Sequence, residues 1–226
     1  MVHAHGDRMG NIAEKDFFEY CDIAKTKECY NLSKTPYISF HINCSKGNLQ
    51  NEFEALDVIK ENVSRLRKEF NKDIILENVP AFRSRKEEYN FYAKPEFISK
   101  VINETNSGFL FDISHARVAA DVLNIPFDEY VKRLPMDKLV EIHLAGSMKD
   151  DKGLVDNHSK MNDEDYLFLE ELLKTSKTLK VVTLEYGTIE CKKINDCPTV
   201  NYGRVNLKAK EEVYEQLIKL KEMLGK

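Results

Sequence analysis

Nine side chains able to bind a metal or move a proton recur at one kind of position in this 226-residue chain. They are His5, His41, Glu77, Asp112, His115, His143, Asp156, His158 and Glu185. Each stands at, or shortly past, the C-terminal end of a run that reads as a β-strand. A lone buried imidazole or carboxylate is expensive, whereas several brought to one rim can share cations. Oxygen and imidazole donors without thiolate suit zinc, iron or manganese. Five histidines and four carboxylates are too many for one ion. Two or three ions, ~3.5–4 Å apart and bridged by carboxylates, would use them. Such a cluster either clamps an oxygen of a phosphate or carbonyl, or binds and activates O₂.

The local spacings fit this chemistry. Asp112-Ile-Ser-His115 sets a carboxylate and an imidazole at i, i+3 across a strand-to-helix turn. Asp156-Asn-His158 is an i, i+2 pair, and in extended backbone i and i+2 project to one side. Either pair alone is a common chance pattern. Glu77 and Glu185 close strands that are otherwise apolar, Ile-Ile-Leu-Glu77 and Val-Thr-Leu-Glu185. A strand-tip Glu is often simply solvated, but repetition at two strand ends favours bridging or catalytic carboxylates. His41 ends Tyr-Ile-Ser-Phe-His41, and His143 ends Val-Glu-Ile-His143 before Gly146, which leaves room for close approach. Glu77, Glu185 and His143 are the candidate catalytic residues. His3 and His5 alternate on the first strand and face opposite ways. His5, followed by Gly6, is the candidate, and His3 reads as a capping or surface residue. Asn78 is expected to orient a metal ligand from behind. Arg204 and Lys160 are candidates for holding an anionic substrate group, against the commoner reading of solvated surface charge.

Six β-α units must position these groups. Short apolar, β-branched runs predict strands at Val2–His5, Tyr37–Ile42, Asp73–Val79, Gly108–Ile113, Leu139–Ala145 and Lys180–Tyr186. Helical periodicity falls at 13–28, 51–71, 95–106, 115–123, 127–133, 163–178 and 208–224. Asn51 and Asp163 are candidate N-caps, and Pro95 suits a first helical turn. Strands alternating with helices predict a parallel sheet with right-handed crossovers, whose ligands bind at the C-terminal strand ends. The expected fold is therefore an α/β, TIM-type (β/α) barrel, shortened to about six units, with residues 1–226 forming a single domain. Two stretches read as long loops: Gly146–Asn162, and Gly187–Asn206, which holds Cys191, Cys197 and Arg204. Long loops on such a rim carry substrate contacts or act as lids.

Composition narrows the partners. Thirty-four Lys and Arg nearly balance 38 Asp and Glu for a net charge of −4, so no global field favours nucleic acid. Five cysteines (Cys21, Cys29, Cys44, Cys191, Cys197) show no CxxC spacing, which argues against a disulfide framework or zinc ribbon. A reducing, cytoplasmic setting is expected. Neither a signal peptide nor a membrane span is read from the sequence.

The ordered segments His5-Gly6, Ser39-Phe-His41, Leu76-Glu77-Asn78, Phe111-Asp112-Ile-Ser-His115-Ala116, Ile142-His143-Leu-Ala-Gly146, Asp156-Asn-His158 and Leu184-Glu185 resemble the xylose isomerase-like TIM barrels. Within that superfamily the chain is most similar to the multinuclear non-heme iron-dependent oxidative enzymes of the methanobactin-biosynthesis type. This resemblance implies two or three iron ions, O₂, and a cysteine-containing peptide or other small-molecule substrate. Two departures stand out: His115 occupies a position where that group commonly has Asn, and Glu185 precedes Tyr-Gly rather than Trp-Asp. The apurinic endonuclease branch fills all nine positions and would imply three zinc ions acting on a phosphodiester. Sugar isomerases and epimerases would use Glu77 and Glu185 as acid and base. Manganese is a further alternative metal, and a non-catalytic, metal-bound binding subunit is the alternative outside enzymes. The superfamily barrel has eight units, and His5 matches its third strand. An open barrel edge is therefore expected, covered by a homodimer or partner protein.

Overall fold

The strands form at short runs of aliphatic and aromatic residues that close on the polar candidates. In this computed structural model they are β1 (Val2–His3), β2 (Ile38–His41), β3 (Ile74–Glu77), β4 (Gly108–Asp112), β5 (Leu139–Leu144), β6 (Gly146–Asp150), β7 (Gly153–Ser159) and β8 (Val181–Leu184). The structure describes residues 2–3, 10–45, 50–186 and 207–225, of which 2–3 and 207–209 are described by backbone alone. His5, Arg204 and the stretch Gly187–Asn206 lie outside the described residues.

Helices fill the connections: α1 (Phe17–Tyr20), α2 (Ile23–Ser33), α3 (Glu52–Phe70), α4 (Pro95–Thr105), α5 (Ile113–Val122), α6 (Phe127–Lys132), α7 (Asp163–Thr175) and α8 (Leu207–Met223). The caps explain several boundaries. Asn51 accepts from the backbone N–H groups of Phe53 and Glu54 to start α3. The left-handed residues Asn71 and Asn106 end α3 and α4. The single helix expected at 13–28 is instead two: the chain bends at Cys21, and Asp22 caps α2 by accepting from Lys25 N–H. α7 is capped by Asn162 rather than Asp163, through a reciprocal bond with Asp165, and it ends at Thr175.

Among the described residues, six strands run parallel in the order β1-β2-β3-β4-β5-β8. Alternation divides each strand between two environments. Phe40 and Phe111 turn toward helices, where their rings meet Phe17 at 5.4 Å and Phe168 at 5.7 Å. His41, Glu77, Asp112 and His143 take the opposite face. α3 seals the helix layer by burying Ala55, Leu56, Ile59, Val63, Leu66 and Phe70. Each large side chain among them contributes ~1.5–3 kcal/mol.

One expected loop is regular structure. Residues 146–159 form an antiparallel hairpin, β6 paired with β7. Alternation of polar and apolar residues is weak there, and the hairpin's register comes from docking instead. A Cβ at Gly146 would run into the carbonyl of Lys160, so only glycine lets the hairpin close at its base. Among the described residues, no helix is long and apolar enough to cross a membrane.

Candidate metal centre

Sheet register brings the strand-tip residues together before any side chain is considered. His41 lies directly beside Glu77, and Asp112 beside His143. Both pairs share the face away from the helices. Glu77 is the hub. Its Oε2 is 3.5 Å from His41 Nε2, and its Oε1 is 3.2 Å from His115 Nδ1 and 3.6 Å from His143 Nδ1. Glu77 and His143 are each 1% exposed and Asp112 is fully buried, so nothing here is a solvated strand tip. Glu185, one residue past β8, reaches the same place: its Oε1 is 3.2 Å from His143 Nδ1, and its Oε2 is 3.7 Å from His158 Nε2.

Asp112 has two local duties. It is the N-cap of α5, where Oδ1 accepts from His115 N–H at 2.7 Å. That bond fixes the turn from β4 into the helix and sets His115 over the sheet. Its Oδ2 is buried and has no hydrogen-bond partner among the described residues. Such an oxygen is expensive unless a ligand takes it up. Asn78 braces the arrangement from behind. Its side chain clasps the Asp112 backbone at both N and O, while its main-chain carbonyl faces His115 Nδ1 at 2.9 Å. With Nδ1–H donating to that carbonyl, Nε2 of His115 is left toward Asp156, 3.2 Å away.

The hairpin supplies Asp156 and His158. Their meeting does not come from simple alternation along an extended strand. Gly146 pairs with Ser159 but Ser147 with Asp156, which leaves Asn157 and His158 as a bulge, and His158 takes a left-handed φ of 49°. Bulges of this kind re-aim side chains beside active sites. Here Nε2 of His158 comes to 3.4 Å from Asp156 Oδ2, and Asp156 Oδ1 accepts from Ser114 Oγ at 2.8 Å.

Among the described residues, two sets of three donors therefore lie close enough to hold an ion each. Glu77, Asp112 and His143 form one, and His115, Asp156 and His158 form the other, with the ligand atoms of each set within 4.8 Å of one another. Electrostatics agree. Burial opposes charge on His143, yet hydrogen bonds to Glu141 and Glu77 lift its imidazolium to about 11. His158 rises to about 9 against burial, because of Asp156 and Glu185. His115 is also held well above the ordinary value by Asp112 and Asp156, despite burial. Asp112 is pushed up to about 7 by burial, with Glu77 adding repulsion. Asp156 goes the other way: burial is outweighed by the imidazoles of His115 and His158, which hold it well below the carboxylate range. The raised imidazoles report carboxylates packed closely around them, a concentration of negative charge that would also attract a metal cation in place of the protons. The donors, all nitrogen and oxygen, fit first-row transition ions.

Lys160 is not gathered in. Its Nζ pairs with Glu215 of α8 at 2.6 Å. The fold adds one carboxylate that strand-end spacing does not single out. Glu141, fully buried in mid-β5, lies 3.3 Å from His143 Nε2 and accepts from Thr183 Oγ1 at 2.7 Å. Its signal was present: a charged residue inside an apolar strand, two positions before a histidine and so on the same face.

With this geometry in view, comparison with known proteins is decisive about ancestry. Residues 4–188 match the family described as the RiPP precursor modification enzyme MbnB/TglH/ChrH. The chain belongs to that family. Its relatives include a UPF0276 protein of Psychromonas ingrahamii, 23% identical over 209 residues that cover 83% of this chain and 72% of the relative. A UPF0276 protein of Chromobacterium violaceum is 31% identical over 121 residues, 53% of this chain and 43% of the relative. This MbnB/TglH/ChrH member thus spans only part of the length of the curated relatives it matches. Among solved structures, a xylose isomerase domain protein from Planctomyces limnophilus superposes with a TM-score of 0.56 at 13% identity, over 96% of this chain and 69% of that one. Another from Alicyclobacillus acidocaldarius gives 0.56 at 15% identity, over 90% and 71%. The fold is accordingly the xylose isomerase-like, TIM-type α/β fold.

Proposed function

We propose that this MbnB/TglH/ChrH member is a metal-dependent enzyme that modifies a peptide, and that its centre holds two or three iron ions that use O₂ to oxidise a cysteine-containing substrate. The observation that carries the reading is the juxtaposition of two nitrogen- and oxygen-donor sets around one carboxylate, Glu77, that faces imidazoles of both. When bound, iron would supply the electrons and the open coordination positions that O₂ chemistry requires.

The chain's own residues do the rest. Glu77 turns its two oxygens to different imidazoles, which suits a carboxylate shared between ions. Asp112 and His143 would complete one ion's donors, and His115, Asp156 and His158 another's. Glu185 stands between the two sets. His41 extends the site toward the first strand, where the family resemblance puts His5. The buried strand tips keep bulk water from one side, while Asp156, His158 and Glu185 are each about a fifth exposed and form the open side for a substrate. A homodimer or partner protein over the sheet's end is part of the same proposal. β8 is only partly buried along its whole length, unlike β3 and most of β4.

Anaerobic purification with ferrous loading, metal quantitation and O₂-uptake measurement with cysteine-containing peptides tests the reading. Two or three irons per chain with peptide-dependent O₂ uptake is the expected result. Zinc retained in preference to iron, with nicking of abasic DNA and no O₂ uptake, would overturn it.

A further inference from the structure

Glu141 has no place among the donors described above, yet it is fully buried beneath them. Its position follows from the strand register. The irregularity between β4 and β5 sets Glu141 level with Leu110, one layer below the Asp112–His143 pair and on their face. β8 runs beside it with Thr183 level with His143. Glu141 Oε1 therefore receives two donors, Thr183 Oγ1 at 2.7 Å and His143 Nε2 at 3.3 Å. Its other oxygen, Oε2, has no hydrogen-bond partner among the described residues. A buried carboxylate satisfied on one oxygen is a poor structural element, since an apolar residue of similar size would avoid the desolvation. Something must offset that expense.

The donors suggest what does. Nδ1 of His143 faces Glu77 and Glu185, whereas Nε2 faces Glu141. An imidazole has one metal-binding nitrogen only when the other keeps its proton, and that choice follows the hydrogen bond the second nitrogen makes. His115 shows the same device in milder form, with a main-chain carbonyl at Nδ1 and Nε2 turned to the second donor set.

Building on the metal reading above, we propose that Glu141 is a positioning residue. It keeps the proton of His143 on Nε2, commits Nδ1 to the metal, and makes that nitrogen a stronger donor, while Thr183 holds Glu141 in place. The role is confined to the Glu77–Asp112–His143 set. The ion on His115, Asp156 and His158 should be indifferent to it.

Zn(II), which is diamagnetic, is the probe. Glu141→Gln is expected to weaken the tighter or looser of the two zinc sites by ~10–100-fold, and to leave the other unchanged. Thr183→Val should weaken the same site ~2–10-fold, the effect of losing one hydrogen bond. In zinc-loaded wild type with ¹⁵N-labelled histidine, one imidazole should show zinc on Nδ1 and a hydrogen-bonded proton on Nε2. That proton signal should shift in Glu141→Gln and vanish in Glu141→Ala. A merely structural Glu141 predicts something else: lower stability of the metal-free variants with unaltered zinc affinity and ring signals. That result, or zinc on Nε2 of His143 in wild type, overturns the proposal. If Glu141→Ala does not fold, Glu141→Gln and Thr183→Val decide alone. Wild type that takes up no zinc or iron would instead sink the metal reading itself, and this role with it.

Discussion

The two donor sets are built by different means. Glu77, Asp112 and His143 come from the tips of adjacent parallel strands, and each is at most 1% exposed. Their meeting is dictated by sheet register and the inward face of alternation. Asp156 and His158 come from a hairpin outside the main sheet, and their side chains are 20% and 24% exposed. They are aimed by a bulge, a left-handed His158 and a docking network. In that network Arg83 pairs with Asp121 and donates to Leu154 O at 2.8 Å, while Leu154 N–H donates to Asp121 Oδ2 at 2.9 Å. His115, on α5, joins the hairpin set to the barrel, and Ser114 and Glu185 add further ties to Asp156 and His158. A rigid half with an appended half is how a scaffold can vary one part of its chemistry without rebuilding the other.

The sharpest way to break this contrast is Glu77→Ala. Because Glu77 touches imidazoles of both sets, its loss should weaken every ion by more than the ~10–100-fold typical of outer partners, and abolish activity. Metal quantitation after gel filtration checks it; loss from one set alone would show the halves to be separate sites. Next in size, His158→Ala should remove one ion and leave the Glu77–Asp112–His143 ion in place, which isothermal titration would register as one fewer binding event.

Protonation separates the halves less but tests their common charge. His158 and His143 titrate at about 9 and about 11 in the metal-free protein, above the ordinary 6.5. Their contribution to stability is complete below about pH 6.5 and is lost as pH climbs through those values. Asp112, raised to about 7, has the same sign in a lower window: its share is lost from the ordinary carboxylate value up to about pH 7. The metal-free melting temperature should therefore fall between pH 6.5 and 9. Metal needs deprotonated imidazoles, so the loaded protein should become more stable over the same interval. Melting curves with and without metal give the two signs directly.

The smallest effect probes the hairpin's anchor. Arg83→Ala removes a partly exposed pair, so global stability should drop by only ~0.2–1 kcal/mol. The hairpin ion should nonetheless weaken several-fold while the strand-tip ion stays unchanged. Equal weakening of both would mean that the hairpin is as integral as the strands.

Much of the barrel was readable in advance because its signals are local. Ile-Ile-Leu-Glu77 and Phe-Leu-Phe-Asp112 announce strands with a polar tip, and Asn51 announces a helix start. The hairpin was not, since Ser147–Ser159 has little alternation and its pairing rests on Gly146 packing against a distant carbonyl. Glu141 is hidden for a related reason. Attention to strand ends hides a residue one layer deeper, whose meaning depends on Thr183 across the sheet.

Residue types and their order determined the α/β alternation and the nitrogen and oxygen donors, because periodicity and donor chemistry are properties of the chain itself. Tertiary structure alone decided which donors lie close enough to hold an ion together, that Glu77 faces imidazoles of both sets, that Lys160 pairs with Glu215, and which nitrogen of His143 faces Glu141. Those outcomes rest on register between distant strands, a bulge, and a hydrogen bond from Thr183 to Glu141 across 42 residues, relations between segments that local sequence does not specify.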